Sequence, residues 1–296
     1  MTDKLVRAVT HDGAFRAIAL DATEMVQVTS KYHAASTLGL VVLGRALIGG
    51  LLLSNALLKG DERLVMTING GGPIGKVVVE TSAEGHVRGY VENPTLELPL
   101  KADGQVDVAG AVGTNGFLTV TKDMGEGMAP FNGQVELATG EIGDDIAYYL
   151  AKSEQIPSAV ALTVDVSDAG VEVAGGFMVS ALPDATEADI MGLEKKLQNL
   201  PAMNDVLGAN HEPFDALTAL FGDDAVKLLE EMPVVPYPEN TKMDYTKMLA
   251  TLPVEQLTDM LENDHGLEVV DRFTGNRIQF SEAELAAIIA QVNAAQ

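Results

Sequence analysis

The chain has 296 residues, 47% of them hydrophobic, with 43 Asp and Glu against 19 Lys and Arg, a net charge of −24 and no cysteine. That length suits two domains, or one large domain with a small one, around a sizeable core. The charge argues against nucleic acid as a partner, and the missing thiols exclude disulfides, thiolate-bound zinc and cysteine nucleophiles.

The N-terminal stretch MTDKLVRAVTHDG alternates polar and apolar residues without a long apolar run, so no signal peptide is expected there. LVRAVTHDGAFRAIAL predicts a hairpin turning at Asp12-Gly13. A helix is expected after Thr23, and a long one from Ser36 to Lys59. Leu38 to Leu58 has the length of a bilayer crossing. Arg45 near its middle would cost about 2.5–3.5 kcal/mol on insertion scales, and Asn55 and four glycines weaken the span further. A buried core helix is the expectation, with no membrane partner. Strands are expected at 63–68, 76–81 and 86–92, a helix over 141–155, and a further hairpin about Asp168-Ala169-Gly170. Paired strands with helices packed on them make this an α+β core domain with an antiparallel sheet.

At Pro183 the character changes to a helical linker. Thr186 to Asp189 opens a helix as a capping box. Ile190, Leu193, Leu197 and Leu200 follow as one apolar stripe. Pro213 suits the first turn of the next helix, and DDAVKLLEEM at 223–232 reads as a third. The proline-stiffened stretch 233–242 leads into a small α+β C-terminal unit. It holds two short helices, a hairpin over EVVDRFTGNRIQF (268–280) turning at Thr274-Gly275-Asn276, and a last helix capped by Ser281 and Glu284. Its candidate core is Leu249, Leu252, Leu257, Leu261, Val269, Phe273, Ile278, Phe280, Leu285 and Ile288. Three divisions follow: a core domain (1–182), a linker (183–232) and a C-terminal domain (233–296).

Chemistry-bearing motifs are weak. GGGPIGK (70–76) matches two phosphate-loop patterns, but both require a helix after the loop, and here a β-branched strand follows with Val77 where a hydroxyl belongs. His11, His33, His86, His211 and His265 stand at no zinc spacing. Asp144-Asp145 and Asp223-Asp224 read as charge at helix starts. Seven of the twelve methionines lie from Met178 onward, a residue suited to adaptable apolar surfaces and open to sulfoxide formation. No catalytic site and no cofactor are expected; the residues suit a binding protein better than an enzyme.

LVRAVTHDGAFRA, LLKGDERL, INGGGPIG, VRGYVENP, AVGTNGFLTVTKD and GQVELATGEIGDDIAYY, in this order, resemble the 33-kilodalton heat shock chaperone family, with EEMPV and the spaced EVV, F, G and F of the last hairpin extending the likeness. The resemblance implies an ATP-independent, cytoplasmic holdase that binds unfolding client proteins, active in the family commonly as a dimer. It also implies a C-terminal domain in which C-x-C and C-x-x-C hold one zinc that oxidation releases. Here those four positions carry Pro238, Asn240, Asp271 and Thr274, none a thiol. One carboxylate cannot make a tetrahedral zinc site, so the hairpin is expected to be zinc-knuckle-like without metal. A structural zinc can supply about 10–16 kcal/mol, so packing must replace it. The expectation is a holdase without thiol switching, working thermally or constitutively, with Ile190, Leu193, Leu197 and Leu200 masking client-binding surface. The rival expectation is an interaction protein that has lost holding activity.

Overall fold

The computed structural model describes residues 3–125, 128–207 and 212–295, and the chain divides into two compact units, Met1–Tyr237 and Pro238–Gln296. In the first unit β1 (Lys4–Thr10) and β2 (Phe15–Asp21) form the expected hairpin. Helix α1 (Thr23–His33) leads to α2 (Thr37–Leu57). The Ser36 hydroxyl starts α2 by accepting from the Gly39 N–H at 3.0 Å. Then come β3 (Arg63–Asn69), β4 (Val77–Ser82), β5 (His86–Val91), the short α3 (Val108–Val112), β6 (Phe117–Asp123) and β7 (Phe131–Glu136). Helix α4 (Gly143–Tyr149) runs on as a π-helical turn, Leu150–Glu154, before the long hairpin of β8 (Ser158–Ser167) and β9 (Gly170–Ala181). Three helices follow, α5 (Glu187–Gln198), α6 (Met203–Leu207) and α7 (Pro213–Phe221), then β10 (Val226–Pro233) and β11 (Val235–Pro236).

Two sheets result. One is five-stranded in the order β10-β1-β2-β9-β8, and the other six-stranded in the order β11-β5-β4-β3-β6-β7. All pairs in the first unit are antiparallel except β11 with β5. Helix α2 packs on both sheets, which explains why it is apolar all round. It is long and apolar enough to cross a membrane, yet 89% of its apolar window is buried inside the fold. Its polar side chains find partners: Asn55 accepts from Arg7 at 2.7 Å and donates to the Leu51 carbonyl at 3.1 Å, and Arg45 reaches Glu141 at 2.8 Å through its terminal nitrogen, with its buried Nε left unpaired. A β-carbon at Gly50 would lie 2.8 Å from Val79 of β4, so glycine permits the close approach of helix to sheet.

Alternation along the five-stranded sheet gives it two apolar faces. Leu5, Ile18, Leu20 and Met178 join the α2 core, whereas Val6, Ala8, Ala17, Ala19, Phe177 and Val179 join a second core with Leu193, Leu207, Leu217 and Leu220 of α5, α6 and α7.

The expected helix over 223–232 is a strand instead: Val226–Pro233 pairs with β1 from Lys4↔Pro233 to Thr10↔Val226. VKLLEEM has helix-favouring residues, but Leu228 and Leu229 are both largely exposed, so a helix would gain no buried stripe from them. The open edge of β1 supplies backbone partners, and Glu230 meets Arg7 at 3.0 Å across the pair. Tertiary pairing overrides local propensity. Asp223 and Asp224 accordingly precede a strand, not a helix start. β11 then caps the second sheet, with the Val235 and Tyr237 N–H groups donating to Gly85 and Val87 at 3.0 and 3.1 Å.

The second unit contains α8 (Lys242–Leu249), α9 (Val254–Glu262), the two-stranded sheet of β12 (Gly266–Val270) and β13 (Arg277–Ser281), and α10 (Glu282–Ala295). Leu249, Leu257, Phe280, Leu285 and Ile288 are buried in its core, with Leu252, Leu261, Val269 and Ile278 packed around them. Tyr245 belongs to this core, while Phe273 is only half-buried and lies outside it.

Candidate functional site

Two places gather the residues singled out in the sequence. The first is the outer apolar face of the five-stranded sheet. Its cover begins at Thr186, whose hydroxyl accepts from the Asp189 N–H at 3.3 Å while the Asp189 carboxylate takes the Thr186 N–H at 2.9 Å and hydroxyl at 2.6 Å. These bonds, the Thr186 hydroxyl foremost, hold the Asp189 carboxyl below its usual range. Pro213 opens α7 at its first turn. Within the stripe Leu193 is buried, Leu197 and Leu200 are half-buried against the same core, and half-buried Ile190 falls outside it. Leu193 is the one residue of α5 that is fully buried. Helix α5 is fastened further by Lys196, which donates to the Phe221 carbonyl at 3.2 Å and lies over the Phe221 ring, itself 6.0 Å from the ring of Phe15. The cover is therefore a set of short helices holding down an apolar face.

The second place is the hairpin of the small unit. Asp271 is buried at its turn and accepts from the Tyr245 hydroxyl at 2.5 Å and the Phe273 N–H at 2.7 Å. Asn240 donates to that same tyrosine oxygen at 3.4 Å. The turn closes with the Gly275 N–H on the Asp271 carbonyl at 2.8 Å and the Asp271 N–H on the Asn276 carbonyl at 2.9 Å. Gly275 takes φ +72°, the left-handed conformation that glycine tolerates best. Thr274 accepts from the Asn276 N–H at 3.2 Å, and Asn276 reaches Glu239 at 3.1 Å. Of the four positions Pro238, Asn240, Asp271 and Thr274, the fold brings Asn240 and Asp271 onto one hydroxyl, places Thr274 in the turn, and leaves Pro238 exposed. A hydrogen-bonded centre on Tyr245 thus occupies the middle of this hairpin. The sequence reading missed Tyr245, whose contact with Asp271 spans 26 residues and leaves no local pattern. Among the described residues no three His, Asp or Glu side chains converge as a metal would require.

Lys242 pairs with Glu284 at 2.5 Å and, ahead of the Ser281 cap, draws the Glu284 carboxyl down to about 2. In the first unit, Asp3 accepts from the Glu24 and Met25 N–H groups at 3.0 and 2.6 Å. Burial nevertheless pushes its carboxyl up to about 7, with Asp21 nearby adding to the rise. The Asp3 carbonyl receives the Val234 N–H at 3.0 Å, where β10 ends.

The other motifs resolve as structure. Gly70 and Gly72 press against the backbone carbonyls of Val112 and Ala111, and the Gly72 and Ile74 N–H groups donate to those carbonyls at 3.0 and 3.1 Å. These loop amides are committed to protein oxygens, and β4 follows the loop. His33 contacts the Gly89 carbonyl, His86 the Ser82 hydroxyl, and His265 Glu282; His211 lies outside the described residues. Met191, Met243 and Met248 are well exposed, so oxidising them removes no buried contact, whereas Met178 is fully buried.

A helix enclosed between two largely antiparallel sheets, a helical cover on the free face of one sheet, and a separate helix-and-hairpin unit define a two-unit α+β protein. The chain belongs to the Hsp33 family, whose sequence model, Hsp33 protein, matches residues 3–281. It is similar to the 33 kDa chaperonin of Levilactobacillus brevis, 43% identical over 99% of this chain and 100% of that one. It is likewise similar to the 33 kDa chaperonin of Limosilactobacillus fermentum, 44% identical over 98% and 99%. The crystal structure of the 33 kDa chaperonin (heat shock protein 33 homolog) from Thermotoga maritima superimposes with a TM-score of 0.87 at 37% identity, covering 98% of this chain and 99% of that one.

Proposed function

We propose that this chain is an ATP-independent holdase chaperone that binds unfolding proteins in the cytoplasm and works without a thiol and zinc switch. The observation that carries the reading is the sheet face of Val6, Ala8, Ala17, Ala19, Phe177 and Val179, apolar along its length and covered by short helices. Such a face, once uncovered, offers what an unfolding protein needs: apolar area without a fixed shape. In the threefold division the helical part of the linker (183–232), ahead of β10, is the moving part, and its stripe is the mask, seated by Leu193, Leu197 and Leu200 with Ile190 outside that core. Fully burying one such side chain is worth about 1.5–3 kcal/mol, so a cover with few buried anchors loosens before the core does. With no cysteine to oxidise, temperature is the natural trigger. The chain is not an enzyme on this reading, and a homodimer would join two such faces.

The test is suppression of aggregation of a thermally unfolding client, measured against temperature with and without peroxide. Protection that rises with temperature and ignores peroxide is the expected result. Aggregation that proceeds unchanged at several-fold molar excess removes the reading. One stoichiometric partner in a pull-down, with no client protection, would replace it with that of a dedicated interaction protein.

A further inference from the structure

The five-stranded sheet ends on β8, which among the described residues pairs only with β9. Sheet edges are templates for pairing, and proteins usually blunt them with lysine, proline or bulges. The opposite edge follows that rule, since β10 carries Lys227, Glu230, Glu231 and Pro233. β8 is protected less: SAVALTVDVS is ten residues long, without lysine or proline, and its one charge, Asp165, and its one register irregularity, between Asp165 and Val166, both sit near its end. Helix α4 covers the early part of this edge, where Gly143 sits against the Val160 carbonyl.

From Leu162 to Val166 the edge borders an open groove of about 860 Å³. Leu38, Val41 and Arg45, on one side of α2, form its second wall, Leu98, Leu100 and Val106 its third, and Ala202 and Met203, at the start of α6, its fourth. That third wall is held in place. The Ser36 hydroxyl and N–H donate to the Leu96 and Pro94 carbonyls at 2.5 and 2.9 Å, and Gly39 lacks the β-carbon that would strike Pro94. Leu100 remains 62% exposed, an apolar side chain beside a groove whose lining mixes apolar and polar residues. Glu97 and Asp165 give the rim negative charge, while the cation in the lining, Arg45, is engaged by Glu141 at 2.8 Å.

We propose that this groove takes an extended segment of an unfolded polypeptide, apolar at alternate residues and flanked by Lys or Arg, that lies along β8 as an added strand. The proposal rests on the holdase reading and deepens it by naming, besides the sheet face under the helical cover, a second place where a client is held and the conformation it takes there. Only an extended backbone can pair with a strand edge, and alternate side chains then reach the apolar walls. A second copy of this chain is a poor occupant, because it would bring another acidic rim and another net charge of −24 to the same place.

The experiment titrates a short fluorescein-labelled peptide of alternating valine and threonine, with lysine at both ends, onto the full chain and follows anisotropy. A control peptide is N-methylated at alternate residues, which removes the backbone donors without changing the side chains. Leu100→Asp and Glu97→Lys alter exposed wall and rim residues, and their melting temperatures are checked against the unaltered chain. The expected result is binding that falls about tenfold, one ordinary contact's worth, with the N-methylated peptide and with each variant. Equal binding of both peptides, or binding indifferent to both variants, overturns the proposal. So does a dimer that Leu100→Asp dissociates, since the edge would then serve the chain itself. Client protection with no peptide binding sinks the groove and leaves the holdase reading standing. Peptide binding with the expected losses but no client protection supports the groove and removes the holdase reading.

Discussion

The two units solve the problem of stability differently. The large unit is held by volume: α2 lies between two sheets, and Leu43, Leu47, Ile48, Leu51, Leu52 and Leu53 lose nearly all contact with water. The small unit has few fully buried side chains, and its hairpin is organised by a tyrosine hydroxyl shared between Asp271 and Asn240. The first arrangement tolerates loss of one polar bond and suffers from a cavity; the second is sensitive to a single oxygen atom. The contrast shows two ways to hold a domain, by enclosed apolar volume or by one buried hydrogen-bonded centre and a modest core.

Substitutions can break this comparison. Leu51→Ala should have the largest effect, about 2–5 kcal/mol, seen as a lower melting midpoint confined to amides of the large unit by hydrogen exchange. Tyr245→Phe should cost the small unit about 1–3 kcal/mol, because Asp271 stays buried and loses the tyrosine donor; hydrogen exchange should accelerate in 238–295 and not in the α2 core. If Tyr245→Phe leaves the small unit unmoved, the hub is not what holds it. Thr186→Ala removes the start of α5 and should cost about 1 kcal/mol, read as earlier binding of a hydrophobic dye on warming while the small unit is unaffected.

The smallest effect sharpens the comparison through pH. Asp3 in the large unit has its carboxyl raised to about 7 from 3.8. Folding therefore favours its protonated form, and the contribution is fullest below about pH 4 and declines as pH rises toward 7. Glu284 in the small unit is shifted the other way, from 4.5 to about 2. Its contribution is present above about pH 4.5 and is lost as pH falls through that window. Acidification from neutral should thus favour the large unit first and weaken the small one later. Asp3→Asn should flatten the large unit's response between pH 4 and 7, and Glu284→Gln that of the small unit below it. Both are measurable as melting temperature against pH, resolved by exchange of each unit's amides.

Much of the architecture is legible in the chain because local signals and tertiary context agree. The all-apolar run of α2, the Asp12-Gly13 and Gly275 turns, and the Thr186 and Ser281 caps each name an element that forms. Residues 226–233 show where such reading fails. Their helix propensity is real, but the deciding partner is an unpaired edge more than two hundred residues earlier in the chain, and no local pattern reports an open edge. Tyr245 escaped for a related reason. Its helix looks ordinary, and its importance comes from Asp271, which reaches it from the far side of a hairpin. The stripe at 190–200 was visible as a period, but which surface it covers required the sheet. The groove beside β8 was invisible, being made by four segments distant in sequence.

The run from Val226 to Pro236 edges both sheets of the large unit before the chain enters the small one. Considered mechanically, it is a tether sewn along two seams. Tension applied at residue 237 meets first the few bonds of β11 to β5 and then the longer seam of β10 to β1. The outer seam opens at low load and the inner one at higher load, so a pull on the small unit would be registered in two steps, each baring one strand edge.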